Sequence, residues 1–384
     1  MEVCYSSTCS LRNPISWVVG VNKFFGFMKL HIHGQADLFN GWGLHTHEAV
    51  KYLRNRTELT FSSHHRDDMA GVGCWPLGGV GDTVLQITPP DCQPHSHGAV
   101  WWTMWESTLL PAQAVENLNT ASLVLVPNLW NARCFKASGV TAPIHIARLG
   151  YDGSVFQWTP RRLLPLTFGA GGSISGAGER KEVQRVVDAF HATGLDAKLE
   201  VKTMPWDGVN THGDSRIKVI QEVWSDPHWM QRWYGGLHCF VTATRCEGVG
   251  LMPLQAMVNG ADVIAPIHSG HGSYMTDTTV WPLPHKAQPA GGGYGGMQYG
   301  VDTHSICDAM VGVAERHHSE WLLESADLRS KHSSMSVSHL TWRAAMDEVW
   351  DLLKEVANLA SMGTSCESTG RPCHDGHTGG SQAD

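Results

Sequence analysis

Along most of this chain, short apolar runs alternate with segments whose apolar residues recur at helical spacing. Residues 29–33 are a short strand candidate and lead through Gly34 to a helix-like segment at 44–53. Runs at 84–88 and 99–103 read as further strands. In GERKEVQRVVDAFHATG, Val183, Val186, Val187 and Phe190 share one face, which predicts an amphipathic helix with a buried stripe. A strand-like run follows at 199–202. The clearest unit spans 238–270: an apolar run at 239–242, a turn with Gly248 and Gly250, a helix at 253–258, a stop at Asn259-Gly260 and a second apolar run at 262–266. Strand, glycine turn, helix, glycine stop and strand make an α/β unit whose helix N-terminus turns free N–H groups toward an anion. Ala345, Val349, Leu352, Leu353 and Val356 mark a last amphipathic helix over 342–358.

Length adds room for two medium domains in 384 residues. No run of about 18 apolar residues occurs, so no membrane-spanning helix and no integral membrane contact are predicted. A net charge of −8 gives no footprint for nonspecific nucleic-acid binding. Ten cysteines without CxxC pairs suit a reduced compartment, so a cytoplasmic location is expected. Histidines pair at His31/His33, His45/His47, His64/His65 and His95/His97. On a strand, an H-x-H pair turns both rings to one face, which serves either a metal or a polar cleft; no metal site is predicted. Residues 1–27 read as an extension before the first strand, either an added element or an upstream start. The stretch 15–21 lacks the basic lead and small-residue cleavage site of a signal peptide. The Gly-, Ser- and Thr-rich segment 361–384 predicts a disordered tail, with CHDGH near Cys373 as a metal-binding alternative.

The 238–270 unit closely resembles the donor-binding motif of retaining family-4 glycosyltransferases. The family's first motif glutamate matches Glu247, while its second falls on Gln255. A second resemblance runs from WTMWES through Leu110-Pro111, Val126-Pro127, Ser138-Gly139-Val140 and Leu149-Gly150 to Asp152 and Phe156. Together they cover roughly 28–358. The resemblance implies a GT-B fold: two Rossmann-like α/β domains facing a central cleft, with a C-terminal helix crossing back to the first. The expected division is 28–158 for the acceptor domain, 159–338 for the donor domain and 339–360 for the crossing helix. Pro160 and Pro165 suit an extended linker between the domains.

The resemblance also implies a site. Glu247 would accept hydrogen bonds from hydroxyls of the transferred sugar and oppose positive charge at its anomeric carbon. Arg180 and Lys181 would meet the donor diphosphate, or else form a solvated basic pair. The backbone around Gly248, Gly250 and Leu251 would add its dipole. Gln255 would take the ribose hydroxyls with a neutral carbonyl, a bond about 1 kcal/mol weaker than one to a carboxylate. Gly41 and Gly43, ahead of the 44–53 helix, either let the donor approach or form only a tight turn. The loop with Trp206 could flank the nucleobase. Glu106 is the candidate in the first domain, as a contact to sugar or acceptor or as a helix N-terminal acid; His95, His97 and Asp37 are the other acceptor candidates.

The expected reaction moves a hexose-type sugar from a nucleotide-sugar, with a UDP-sugar favoured, to an acceptor hydroxyl with retention. The nucleotide-sugar is a substrate, and no cofactor is expected. The acceptor is either a saccharide or a hydroxymethylated base in DNA, for which Lys51, Arg54 and Arg56 supply a small basic cluster. The alternative is a sugar-nucleotide-binding protein that keeps the fold and has lost transfer.

Overall fold

A computed structural model describes residues 28–35, 40–63, 83–160, 165–223, 226–320 and 325–368. The sequence expectations for 1–27, Asp37, His64, His65 and Cys373 lie outside these residues.

The first half forms a six-stranded sheet of β1 (Lys29–Gly34), β2 (Glu58–Ser63), β3 (Thr83–Ile87), β4 (Val100–Trp102), β5 (Leu123–Val126) and β6 (Ile144–Ile146). Their order is β2-β1-β3-β4-β5-β6, and every pairing is parallel. Its helices are α1 (Gly41–Leu53), α2 (Ala112–Leu118) and α3 (Leu129–Ser138). A parallel sheet needs crossover helices and is covered on both faces, which is why its inner strands β4 (VWW) and β5 (LVLV) read as short unbroken apolar runs.

The second half repeats the plan. Strands β7 (Thr167–Gly171), β8 (Lys198–Thr203), β9 (Ile217–Gln221), β10 (Cys239–Val241), β11 (Asp262–Ala265) and β12 (Trp281–Pro282) form a parallel sheet in the order β12-β11-β10-β7-β8-β9. Helices α4 (Val183–Thr193), α5 (Pro227–Gly236), α6 (Leu251–Val258), α7 (Thr303–Glu320) and α8 (Ser325–Ser336) accompany it. An antiparallel hairpin of β13 (Lys286–Pro289) and β14 (Met297–Gly300) stands apart from the sheet.

The periodic stripe of α4 is buried as the spacing predicts: Val183, Val186, Val187 and Phe190 pack with Phe168, Leu199, Val241 and Met310. Each such side chain contributes about 1.5–3 kcal/mol of burial. On the opposite face Phe240 and Val263 meet Tyr234, Leu254, Met257 and Val337.

The last helix, α9 (Trp342–Ser368), returns to the first half. Its Trp342, Met346, Val349 and Leu353 are buried with Leu30, Ile32, Leu85 and Val100. The two passages between the halves also touch each other. Tyr151 N donates to Leu340 O at 3.0 Å, and Trp342 N donates to Tyr151 O at 3.0 Å. Gly150 permits this approach, because a Cβ there would lie 2.7 Å from both Leu340 O and Trp342 N.

Four local expectations change. Gly41 and Gly43 are not a loop before the helix but the first turn of α1, started by Asn40, whose side chain accepts from Trp42 N and Gly43 N. The helix expected from Gly178 is broken at Glu182, a non-glycine residue at φ 53, so Arg180 and Lys181 sit in a separate 3-10 segment, Gly176–Lys181. His45 and His47 fall on α1, where His45 is buried and His47 exposed, so they do not share a face. Finally, α9 runs to Ser368, past the expected end at 360, through Gly363 and into the segment expected to be disordered.

Candidate active site

Glu247 follows β10, on the loop that turns through Gly248 and Gly250 into α6. Its backbone N–H donates to Ser269 Oγ at 3.1 Å, and Ser269 holds a left-handed φ of 46. Strain of this kind persists where the surroundings fix it. Gly250 starts α6 at φ 86, and a Cβ there would collide with the His271 ring. The Gly248 carbonyl crosses to the first half, where it accepts from Asn128 Nδ2 at 2.7 Å and Asn131 Nδ2 at 3.2 Å. Both asparagines belong to the start of α3, where Asn128 is the cap.

The charged residues converge here. Arg180 Nη1 donates to Glu247 Oε1 at 3.0 Å and to Cys246 O at 3.0 Å. Arg180 Nη2 donates to Glu106 Oε1 at 2.6 Å. Lys181 Nζ lies 2.8 Å from Glu247 Oε1, and Thr244 Oγ1 donates to the same oxygen at 3.2 Å. One arginine thus bridges a carboxylate from each half of the molecule. The pair Arg180–Glu247 is more than nine-tenths buried. Burial alone would raise the Glu247 pKa, but the charges of Arg180 and Lys181 prevail and hold it well below the usual carboxylate range. Burial opposes the charge on Arg180, and Glu106 and Glu247 more than restore it.

Glu106 lies in the bend after β4, ahead of α2, which begins at Ala112. It is therefore not a helix N-terminal acid. Its second oxygen accepts from Tyr294 Oη at 2.6 Å, and its backbone carbonyl accepts from Gln298 Nε2 at 2.9 Å. Tyr294 sits between β13 and β14, and its ring lies 5.0 Å from that of Trp105. Thr108 N to Met297 O at 3.1 Å and Met297 N to Thr108 Oγ1 at 2.9 Å fasten the hairpin to the first half. Burial pushes the Tyr294 phenol up, and the charge on Glu106 adds to this, so it donates rather than ionises.

Thus Glu106, Arg180, Lys181 and Glu247, named from the sequence, form one cluster at the junction of the halves. Gln255 stands apart in the interior of the second half, where Tyr234 Oη donates to its Oε1 at 3.2 Å. Leu251 packs in the cores of both halves. His95 stacks on His31 at 4.8 Å and on His33 at 4.6 Å, so the strand pair does share a face. His97 is exposed before β4, and Gly41 is exposed with nothing within 4 Å of a Cβ. Tyr294, Thr244, Asn128 and Asn131 had no sequence signal tied to chemistry; the lone tyrosine within GGGYGG was the nearest to one. Among the described residues no group of three or more His, Cys, Asp or Glu could hold a metal ion, and no helix is long and apolar enough to cross a membrane.

No protein-family model matches this chain, and no curated protein matches it in sequence. Its fold matches solved structures. Anabaena HepE, solved in complex with UDP and glucose, aligns with a TM-score of 0.63 at 12% identity, over 86% of this chain and 100% of that one. The α,α-trehalose 6-phosphate synthase of Burkholderia multivorans aligns with a TM-score of 0.60 at 8% identity, over 87% of this chain and 99% of that one. The pneumococcal O-GlcNAc transferase GtfA, in complex with UDP and GlcNAc, aligns with a TM-score of 0.51 at 12% identity over 72% of this chain; the alignment spans 57% of that protein's length. Two parallel six-stranded sheets facing one cleft, with the last helix crossing back, are the GT-B fold.

Proposed function

We propose that this chain is a glycosyltransferase that moves a sugar from a nucleotide-sugar to an acceptor hydroxyl, with a UDP-sugar as the favoured donor. The observation that carries this reading is the cluster Glu106–Arg180–Glu247–Lys181 beside the glycine turn into α6. Two cations within reach of a helix N-terminus suit a diphosphate leaving group. The carboxylate beside them suits sugar hydroxyls. The cluster's formal charges sum to zero, and Lys181 Nζ, a three-donor group bonded to Glu247, keeps N–H groups to offer a diphosphate. In the transfer, the bond from the anomeric carbon to the diphosphate oxygen breaks and a bond to the acceptor oxygen forms. The acceptor proton ends on the departing diphosphate or in solvent. Retention and independence from metal belong to this proposal, as do the roles of Gly248, Gly250 and Leu251 at the phosphates.

Gln255 would meet the ribose as a second partner of a carbonyl already bonded to Tyr234, since that oxygen has two lone pairs. The rival reading is a sugar-nucleotide-binding protein without transfer. A saccharide is the favoured acceptor, with a hydroxymethylated DNA base second.

Thermal shift with UDP-, GDP-, ADP- and dTDP-sugars, followed by donor hydrolysis with the best ligand, tests the proposal. A ligand that binds only the native state raises its melting temperature. A shift with one nucleotide plus slow hydrolysis is expected. A shift without hydrolysis selects the binding protein, and no shift with any donor ends both readings.

A further inference from the structure

Asp207 is a buried carboxylate outside the cluster, on the loop after β8. It accepts five hydrogen bonds, and they come from two different stretches of chain. From the loop after β7 come Ser175 Oγ at 2.9 Å, Ile174 N at 3.1 Å and Ser173 Oγ at 3.4 Å. From its own loop and the end of β8 that precedes it come Met204 N at 3.2 Å and Thr203 Oγ1 at 2.5 Å. Its backbone carbonyl accepts from Gln221 Nε2 at the end of β9. One residue therefore ties the ends of three neighbouring strands.

The position of these bonds matters. Ser173, Ile174 and Ser175 lie between Gly172 at φ 134 and Gly176 at φ 54. Glycines at such angles have no side chain to fix them. The segment they flank leads directly into the 3-10 turn that carries Arg180 and Lys181. Lys181 passes close over Gly172, with its Cβ 3.5 Å from where a Cβ would stand. On the other side, the residue before Asp207 is Trp206, 66% exposed at the tip of the loop expected to flank the base. Burial would raise the Asp207 pKa, but the hydrogen bonds from Thr203, Ser175, Met204 and Ile174 hold it below its usual range.

We infer that Asp207 is a positioning residue that locks the loop carrying the diphosphate-binding cations to the loop that faces the nucleobase. This rests on the proposed nucleotide-sugar function. The lock makes the spacing between base and diphosphate a fixed property of the empty site, so UDP gains affinity over uridine without a further ordering cost.

Titration calorimetry with uridine and with UDP tests it, on the full chain and on Asp207→Asn and Ser175→Ala. Ser175→Ala removes one of the bonds to Asp207 on the phosphate side, along with the 3.3 Å contact to Ser173 Oγ, and guards against a fold lost in the first variant. In Asp207→Asn the affinity ratio of UDP to uridine should fall at least tenfold, with uridine itself changed less than threefold. In Ser175→Ala the ratio should fall about threefold. A ratio unchanged in both variants, or UDP and uridine weakened in proportion, would overturn the lock. If the unaltered protein binds no UDP, the proposed function itself fails, and the inference falls with it.

Discussion

The two halves of this molecule share a sheet plan and differ in what they bring to their junction. The first half lines the junction with aromatic and amide groups and sends one charged side chain, Glu106, to the cluster. The second half sends Arg180, Lys181, Glu247 and Tyr294, each from a loop at one end of its elements. The same architecture thus yields one half that brings three of the cluster's four charges and one that brings a single carboxylate. A parallel sheet gathers its loops at the carboxyl ends of the strands, and the loops, not the sheet, decide the chemistry.

The largest test removes what joins the halves. Arg180→Met leaves Glu106 and Glu247 without their shared cation. Breaking a buried pair from one side costs about 3–5 kcal/mol, so the melting temperature should drop sharply and UDP binding should vanish. A variant with unchanged stability would show that the bridge contributes nothing. Next, Glu106→Gln keeps the shape and removes the first half's only charge in the cluster. Turnover is expected to fall well over tenfold in a donor-hydrolysis assay, with the melting temperature within a few degrees; near-normal turnover removes Glu106 from the site.

A third test uses acid. Each half buries a histidine that stays neutral: burial lowers the pKa of His45 to about 3, and burial, with His271 nearby, lowers that of His268 to about 3. Below about 6.5 the unfolded chain takes up these protons and the folded chain does not. Stability should therefore be full above that pH and decline as pH falls toward 3. His45→Leu should flatten this acid limb by one proton without changing UDP affinity. His268→Leu should flatten it equally and weaken UDP severalfold, because His268 holds Ser269, which meets the Glu247 backbone. Equal effects on UDP would erase the difference between the halves. The smallest effect belongs to Gln255→Glu, which should tighten a UDP-sugar about fivefold, the equivalent of about 1 kcal/mol. Unchanged or weaker binding would separate Gln255 from the ribose.

Much of the scaffold was legible beforehand. The unit at 238–270 folds as strand, glycine turn, helix and strand, because its breaks are written in Gly248, Gly250 and Gly260 and its core in continuous apolar runs. The stripe of α4 was equally plain. The splitting of Arg180 and Lys181 from that helix was not, since Glu182 adopts a left-handed angle that the residue type does not announce; its carboxylate lies 2.9 Å from Arg185 Nε and 3.3 Å from Arg245 Nε. The four charged residues could be named singly from the sequence, but their pairing could not.

The sequence by itself determined the alternation of elements, because that follows from local spacing and from which side chains must leave water; the two-domain plan and the candidate charged groups were legible only through the family resemblance. Only the tertiary structure decided that Arg180 bridges Glu106 and Glu247, that Tyr294 arrives on a hairpin to take Glu106's other oxygen, and that Gln255 turns to Tyr234. Those contacts join residues far apart in the chain, and no local pattern encodes which loop ends meet when two sheets close on one cleft.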